Sequence, residues 1–422
     1  MSETIIQDIK YFSHPFNEIN DLHVLYKEIT NQKYVLLGES SHGTAEFYEI
    51  RAEISKKLIT EKGFTFIAVE GDWPACQYVN RYIKGYDHKH SSARDVLKSF
   101  NRWPTWMWAN EEMISFIEWL KDYNATLPTN QRIGFYGIDI YSLWESIDEV
   151  LIYLESNNDP KLDIAKKAFA CFEPFNKRPE KYGVSAAFYS EGCRDEVLKL
   201  LSEIQLSKSQ YIDYIEESSL NLEVNALITA NAENYYRTMI VNDNESWNIR
   251  DRHMVEVLMT INRFYQNNAK GIVWEHNTHI GDARATDMMD EGLVNVGQLL
   301  REQLGKEKVY AIGFGTHRGT VIAADQWGAN LEKMIVPPAE NGSWEDLMHR
   351  AGPTNKLLLF NEENKHRFNH VVGHRAIGVV YHPAYEHHGN YVPSIMSERY
   401  DAFIYVNYSS ALSPLKIKEV FL

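Results

Sequence analysis

Histidine, carboxylate and arginine residues gather at a few short turns of this 422-residue chain. In Gly38-Glu39-Ser40-Ser41-His42-Gly43 an imidazole follows a carboxylate by three residues, and Arg51 comes nine residues after His42. A neutral imidazole can take a proton from water or an alcohol, a carboxylate can orient it, and a guanidinium can stabilise a developing oxyanion. Further along, Glu275-His276-Asn277-Thr278-His279 sets two imidazoles three residues apart, with Asp282 three residues beyond. Two chemistries fit these groups together with Glu70. In one, the imidazoles transfer protons and donate hydrogen bonds. In the other, they join Glu39, His42 and Glu70 around a divalent cation such as zinc or manganese. The HxxH spacing is not the HExxH of helical zinc proteases, so the sequence leaves this choice open.

The elements that must position these groups are short apolar runs at Tyr34–Leu37, Phe64–Val69, Ile133–Tyr136, Ile272–Trp274, Val309–Ile312, Ala376–Tyr381 and Phe403–Val406. They are too continuous for half-exposed strands, and segments of helical period lie between the early ones, such as Phe47, Ile50, Ile54 and Leu58. The fold class that follows is α/β, with a mainly parallel central sheet flanked by helices. Nearly every run is followed by titratable groups: the Glu39–His42 turn, Glu70-Gly71-Asp72, Gly137-Ile138-Asp139, the Glu275–His279 turn, Gly315-Thr316-His317, and His382. In an open parallel sheet the carboxyl ends share one edge, so these groups are expected to converge there. Gly38 and Gly43 permit a tight turn into a helix that Gly43 or Thr44 caps and that runs to about Ile59. The positive end of that helix favours a neutral imidazole at His42.

Residues 148–266 carry almost no strand signal but several amphipathic stretches, including Ile204–Leu222 and Leu222–Val241. They read as a helical insertion subdomain covering the cleft, with residues 1–147 and 267–422 as the α/β catalytic core. Pro174 and Pro179 interrupt the insertion, and Pro337-Pro338 begins a long connection.

Hydrophobic residues at 44% and charged residues at 24% are close to globular averages, which excludes a disordered or fibrous chain. The net charge of -15 repels phosphate backbones and anionic lipid, so neither nucleic acid nor a membrane is an expected partner. Met1–Lys10 lacks a basic start and apolar core of a secretory signal, and no stretch approaches the length of a membrane span, so a cytoplasmic location is expected. Cys76, Cys171 and Cys193 form no CxxC pair and are expected as reduced, mostly buried thiols.

Other signatures are absent. Gly38–His42 fails G-x-S-x-G at its fifth residue, which leaves Ser40 and Ser41 as turn and capping residues. Gly313–Gly319 has one residue too many for G-x-G-x-x-G, and no phosphate loop occurs. The segment Trp103-Pro104-Thr105-Trp106-Met107-Trp108-Ala109-Asn110 could wall a hydrophobic cavity, making Trp103, Trp106, Trp108 and Asn110 candidate substrate-binding residues.

Leu37-Gly38-Glu39-Ser40-Ser41-His42-Gly43, Arg51, Ala68-Val69-Glu70 and Trp274-Glu275-His276-Asn277-Thr278-His279 resemble the erythromycin esterase family, some of whose members carry succinoglycan-biosynthesis labels. Pro104–Trp108 with Asn110 and Glu111, Asn248–Asp251 and Arg399–Ala402 extend the resemblance over most of the chain. It implies hydrolysis of an ester, in macrolide-acting members a macrolactone, with the catalytic histidine at His42. It also implies that Glu39, Arg51, Glu70, His276 and His279 belong to a deep cleft. The expected function is an esterase-type hydrolase in which His42 is the general base for water, with no cofactor required and a small-molecule ester as partner. The alternatives are a metal-dependent hydrolase using His42, His276 and His279 with carboxylates, and a protein that binds a polyketide or glycan without turning it over.

Overall fold

Continuous apolar runs become strands buried on both faces, as Tyr34–Leu37 illustrates with 0% exposure at every residue. A computed structural model describes residues 2–175, 177–189, 192–206 and 217–417 of the chain. Its strands are β1 (Ser13–Pro15), β2 (Tyr34–Leu37), β3 (Phe66–Asp72), β4 (Gly134–Asp139), β5 (Gly271–Trp274), β6 (Val309–Ala323), β7 (Glu332–Val336), β8 (Lys356–Leu359), β9 (Val371–Arg375), β10 (Tyr391–Ile395) and β11 (Ala402–Ser409). The expected α/β class holds: the central sheet is mainly parallel and flanked by helices.

The chain divides into two compact units. The first comprises Met1–Ile67, Phe100–Ile117 and Lys270–Phe421. Within it the strands are ordered β1-β8-β11-β6-β2-β5. Strands β11, β6, β2 and β5 run parallel to one another, whereas β8 and β7 pair antiparallel to β11 and β6, and β1 antiparallel to β8. Leu37 lies in register with both Trp274 and Ile312, so the turns after β2 and β5 leave the sheet at the same edge. A separate antiparallel pair joins β9 to β10.

The second unit comprises Ala68–Ser99 and Glu118–Ala269. It holds β3 from Ala68 onward, β4, and the helices Trp73–Ile83, Leu143–Ser156, Leu162–Ala170, Pro179–Tyr189, Arg194–Leu206, Ser218–Met239 and Asp243–Phe264. Compactness therefore groups residues 68–99 and 118–147 with the helices of the 148–266 segment. Leu143, Ile147, Val150 and Leu154 recur at helical spacing and bury against Phe169, Tyr182, Leu200, Leu222 and Tyr236. Of the expected amphipathic stretch Ile204–Leu222, residues 207–216 lie outside the described residues. Among the described residues no helix is long and apolar enough to cross a membrane.

Three expectations are corrected. The run at Val309–Ile312 is only the start of a 15-residue strand, so Gly315, Thr316 and His317 lie inside β6 and not beyond its end. Ala376–Tyr381 is not a strand. Ile377 and Val380 make isolated bridges to Ser41 and Ala324, two different segments, so no ladder propagates. Finally, Cys171 and Cys193 are joined in a disulfide, and only Cys76 is free. The two cysteines are 22 positions apart in the sequence, and their Cα atoms are 5.9 Å apart, within bridging reach.

Candidate active site

The turn after β2 is held by its own backbone. Gly43 O accepts hydrogen bonds from Ile322 N and Leu412 N at 3.1 and 3.0 Å, and Ile377 N donates to Ser40 O at 2.7 Å. A Cβ on Gly43 would lie 1.9 Å from Ile322 O, so only glycine permits this approach. The helix Ala45–Lys62 starts at Thr44, whose hydroxyl bonds to that of Ser41. Its last residue, Lys62, is three beyond the expected stop near Ile59, and Gly63 caps it in the left-handed region.

On this frame His42 Nδ1 is 2.8 Å from Glu39 Oε1, and Arg51 Nη2 donates to Glu39 Oε2 at 2.5 Å. A carboxylate only accepts, so Nδ1 carries a proton toward Glu39, and in the neutral ring the lone pair sits on Nε2. Tyr48 Oη donates to the His42 carbonyl at 3.1 Å, fixing the backbone behind the ring. Arg51 is 0% exposed and lies between the rings of Tyr48 and Trp274, 4.5 and 4.7 Å from their centroids. The expected oxyanion role does not fit a guanidinium sealed beneath Glu39; the geometry makes Arg51 the counter-ion that holds this carboxylate.

The second turn follows β5. His276 caps the one-turn helix Asn277–Ile280, and its Nδ1 accepts from Thr278 N at 3.3 Å and pairs with the Thr278 hydroxyl at 2.9 Å. A backbone N–H can only donate, so in the neutral ring the proton of His276 sits on Nε2. The His42 and His276 rings are 5.0 Å apart between centroids, inclined at 45°. In their neutral forms the two rings are complementary, with the lone pair of His42 and the N–H of His276 both on Nε2. His279 is buried at the other end of the same short helix, its N–H donating to the His276 carbonyl at 2.9 Å. Among the described residues no three His, Cys, Asp or Glu side chains converge as metal ligands would.

Glu70 lies in the second unit, near the end of β3, where Arg250 Nη2 donates to it at 2.8 Å. Arg250 also grips Asp139 at the end of β4 through Nε and Nη2, at 2.9 and 2.7 Å. Burial alone would raise the Asp139 pKa, but the charge and hydrogen bonds of Arg250 outweigh it and hold the carboxyl below its usual range. Reasoning from strand ends missed Arg250 because it sits mid-helix in Asp243–Phe264, 180 residues from Glu70. The one signal was its place in the Asn248–Asp251 segment.

The other expected groups are elsewhere. His317 stacks on His349 with 3.9 Å between centroids, and burial together with the neighbouring imidazole pushes it down to about 4. His382 is exposed at the start of the turn Pro383–His388. Trp106 is fully buried, and Trp108 packs on Tyr48 and Trp274. Asn110, also fully buried, donates to the carbonyls of Trp106 and Met107 and accepts from Met113 N. Trp103 alone of this group is partly exposed, its indole N–H bonded to Ala329 O at 3.0 Å and its ring against Trp327.

Residues 59–409 match the model of the erythromycin esterase family. This chain belongs to that family. The matched span includes Glu70, His276 and His279 and begins after the Glu39–Arg51 turn. An erythromycin esterase type II of Escherichia coli is 24% identical over 82% of this chain and 85% of its own length. A Bacillus subtilis (strain 168) protein named as a hydrolase is 20% identical over 92% of this chain and 86% of its own. Among solved structures, a succinoglycan biosynthesis protein aligns with a TM-score of 0.78 at 22% identity over 98% of both chains. A mutant of the erythromycin esterase EreC in its open conformation aligns with a TM-score of 0.64 at 16% identity, over 99% of this chain and 98% of that one. These structures share the fold. Family membership and the hydrolase-named relatives support hydrolase activity for this erythromycin esterase family member.

Proposed function

We propose that this protein hydrolyses an ester, with His42 as general base and His276 as the hydrogen-bond donor to the carbonyl oxygen. The observation that carries the reading is the 2.8 Å contact of His42 Nδ1 with Glu39, itself held by Arg51, which leaves Nε2 as the base. A water attacks the carbonyl carbon and gives its proton to His42 Nε2. Negative charge moves to the carbonyl oxygen, which the Nε2–H of His276 receives. When the C–O bond to the alcohol breaks, the imidazolium returns its proton to the leaving oxygen, giving an acid and an alcohol. No acyl-enzyme forms. In a macrolactone the same step opens the ring to a hydroxy acid, and the family and the erythromycin esterase type II relative support that substrate class. The parts of Glu70 and His279 rest on the resemblance alone.

The test is mass spectrometry of a panel of macrolactones and simpler esters after incubation with wild type and His42→Ala, with and without chelator. A product heavier by one water, made by wild type and absent with the variant, is the expected result. Equal hydrolysis by both would remove His42 from the reaction, and activity lost on chelation would transfer water activation to a metal.

A further inference from the structure

Behind the His276 turn runs a chain of buried polar groups that no step of the proposed reaction uses. Asn277, fully buried, donates its backbone N–H to the Glu39 carbonyl at 2.8 Å, tying the two histidine turns together. Its side chain accepts from Phe314 N at 3.1 Å and donates to Phe314 O at 2.6 Å, which fixes the orientation of the amide. The amide Nδ2 then faces His374 Nε2 at 3.2 Å, and His374 Nδ1 is 2.5 Å from Glu345 Oε1. Arg375 N donates to the same carboxylate oxygen at 3.2 Å, and Arg399 Nη2 donates to the Asn277 carbonyl at 3.2 Å. Glu345 and His374 are 0% and 1% exposed.

The protons in this chain can be assigned. Glu345 accepts the Nδ1 proton of His374, so Nε2 is the lone pair that receives the Asn277 N–H. Burial lowers the His374 pKa despite the neighbouring carboxylate, which keeps the ring neutral as this pattern requires. A carboxylate and an imidazole within the core are costly where apolar residues would pack as well. What the pair adds is a fixed acceptor for the second Nδ2 proton of an amide that Phe314 already orients, so that every polar atom of the buried Asn277 side chain is held.

We propose that Glu345, His374 and Asn277 are positioning residues, a buried relay that sets the His276 turn against the Glu39–His42 turn. The relay deepens the hydrolase reading and rests on it for the catalytic consequence, but not for the geometric one. Gly38 belongs to the same construction, because a Cβ there would lie 2.1 Å from Asn277 Oδ1. Without the His374 acceptor the amide keeps its two bonds to Phe314 but one buried Nδ2 proton loses its acceptor, which loosens the Asn277 anchor from which the His276 turn is set.

The test compares His374→Leu with His374→Gln, whose side-chain amide can still accept from Asn277 and donate to Glu345. On whichever ester the wild type cleaves, His374→Leu should lower kcat about 10- to 100-fold, the range for lost orienting groups, with KM within about twofold. His374→Gln should recover most of that loss. Histidine-selective NMR reads the His42 and His276 ring signals without any substrate, and both should move in the Leu variant and return toward wild type in the Gln variant. A folded Leu variant with unchanged kcat and unchanged ring signals would overturn the relay, as would a loss that follows thermal stability alone and is not relieved by Gln. If the Leu variant does not fold, Glu345→Gln decides by the same readouts: displaced ring signals support the relay and unchanged ones overturn it. A wild type inactive on every ester would count against the hydrolase reading, while the NMR arm still judges the relay.

Discussion

Arg51 holds Glu39 from a site with no exposed surface, its Nη2 2.5 Å from one carboxylate oxygen while the other faces His42. Among the described residues Nε and Nη1 of Arg51 have no hydrogen-bond partner, so the guanidinium is committed to Glu39 and to the two aromatic faces beside it. Removing one member of a buried pair strands the other charge, which costs about 3–5 kcal/mol. Arg51→Met should therefore lose stability of that size in urea denaturation and should also lose turnover, because Glu39 no longer holds His42. The double variant Arg51→Met with Glu39→Gln should regain most of the stability without regaining activity. Full activity in the double variant would show that the pair serves the fold alone.

His276 makes the complementary prediction. Its Nδ1 is occupied by Thr278, so a residue without a ring nitrogen removes this local cap together with the donor that Nε2–H supplies, and only the latter acts on the reacting carbonyl. His276→Leu should lower kcat about 10²- to 10³-fold, the usual effect of one lost oxyanion donor, and should leave KM nearly unchanged. Steady-state kinetics on the ester that wild type hydrolyses checks this. A rise in KM at constant kcat would instead make His276 a ground-state binding group.

Much of this arrangement can be read from residue types, and the remainder cannot for physical reasons. β2 was legible because Tyr34–Leu37 is an unbroken apolar run that needs burial on both faces. β6 was not, because Gly313, Gly315 and Gly319 read as turn signals. They are instead places where neighbours come too close for a side chain: a Cβ on Gly315 would meet the Phe403 ring at 2.6 Å, and one on Gly319 the Ser409 carbonyl at 1.9 Å. The same limit applies in the site. The spacing of Glu39, His42 and Arg51 suggested a cluster, but only the fold shows that Arg51 points at Glu39. Glu70 with Arg250 and Glu345 with His374 are pairs made across 180 and 29 residues, which no local period encodes. The disulfide was missed for the same reason, since nothing in the sequence near Cys171 specifies how the 22 residues to Cys193 return.

Acid should weaken the second unit through His253. This residue is 1% exposed, and its Nδ1 accepts from the Asn231 amide at 3.0 Å. Burial pushes its pKa down to about 4, whereas an unfolded imidazole titrates near 6.5. Between those values the unfolded chain binds a proton that the folded chain excludes. Stability is therefore complete above about pH 6.5, falls as pH drops toward 4, and this contribution levels off below that, at a loss of up to about 3 kcal/mol. Asp139, held low by Arg250, makes its own loss at more acid pH. Urea midpoints measured across this window should show the slope in wild type and a shallower one in His253→Gln. Equal slopes would mean that His253 titrates alike in both states.

The Cys171–Cys193 bond should be detectable and stabilising. It ties the end of the helix Leu162–Ala170 to the residue just before the helix Arg194–Leu206, within the cluster that contains Phe169, Phe172 and Tyr182. Closing a loop of 22 residues restricts the unfolded chain by about 3 kcal/mol. Alkylation of denatured, unreduced protein should label Cys76 alone, and prior reduction should expose all three cysteines. A Cys171→Ala/Cys193→Ala variant should unfold at lower urea with the same midpoint under reducing and oxidising conditions, while wild type should shift toward it on reduction. Three labelled cysteines without reductant would mean that the two sulfurs lie together as thiols, and the midpoint of wild type should then be indifferent to reductant.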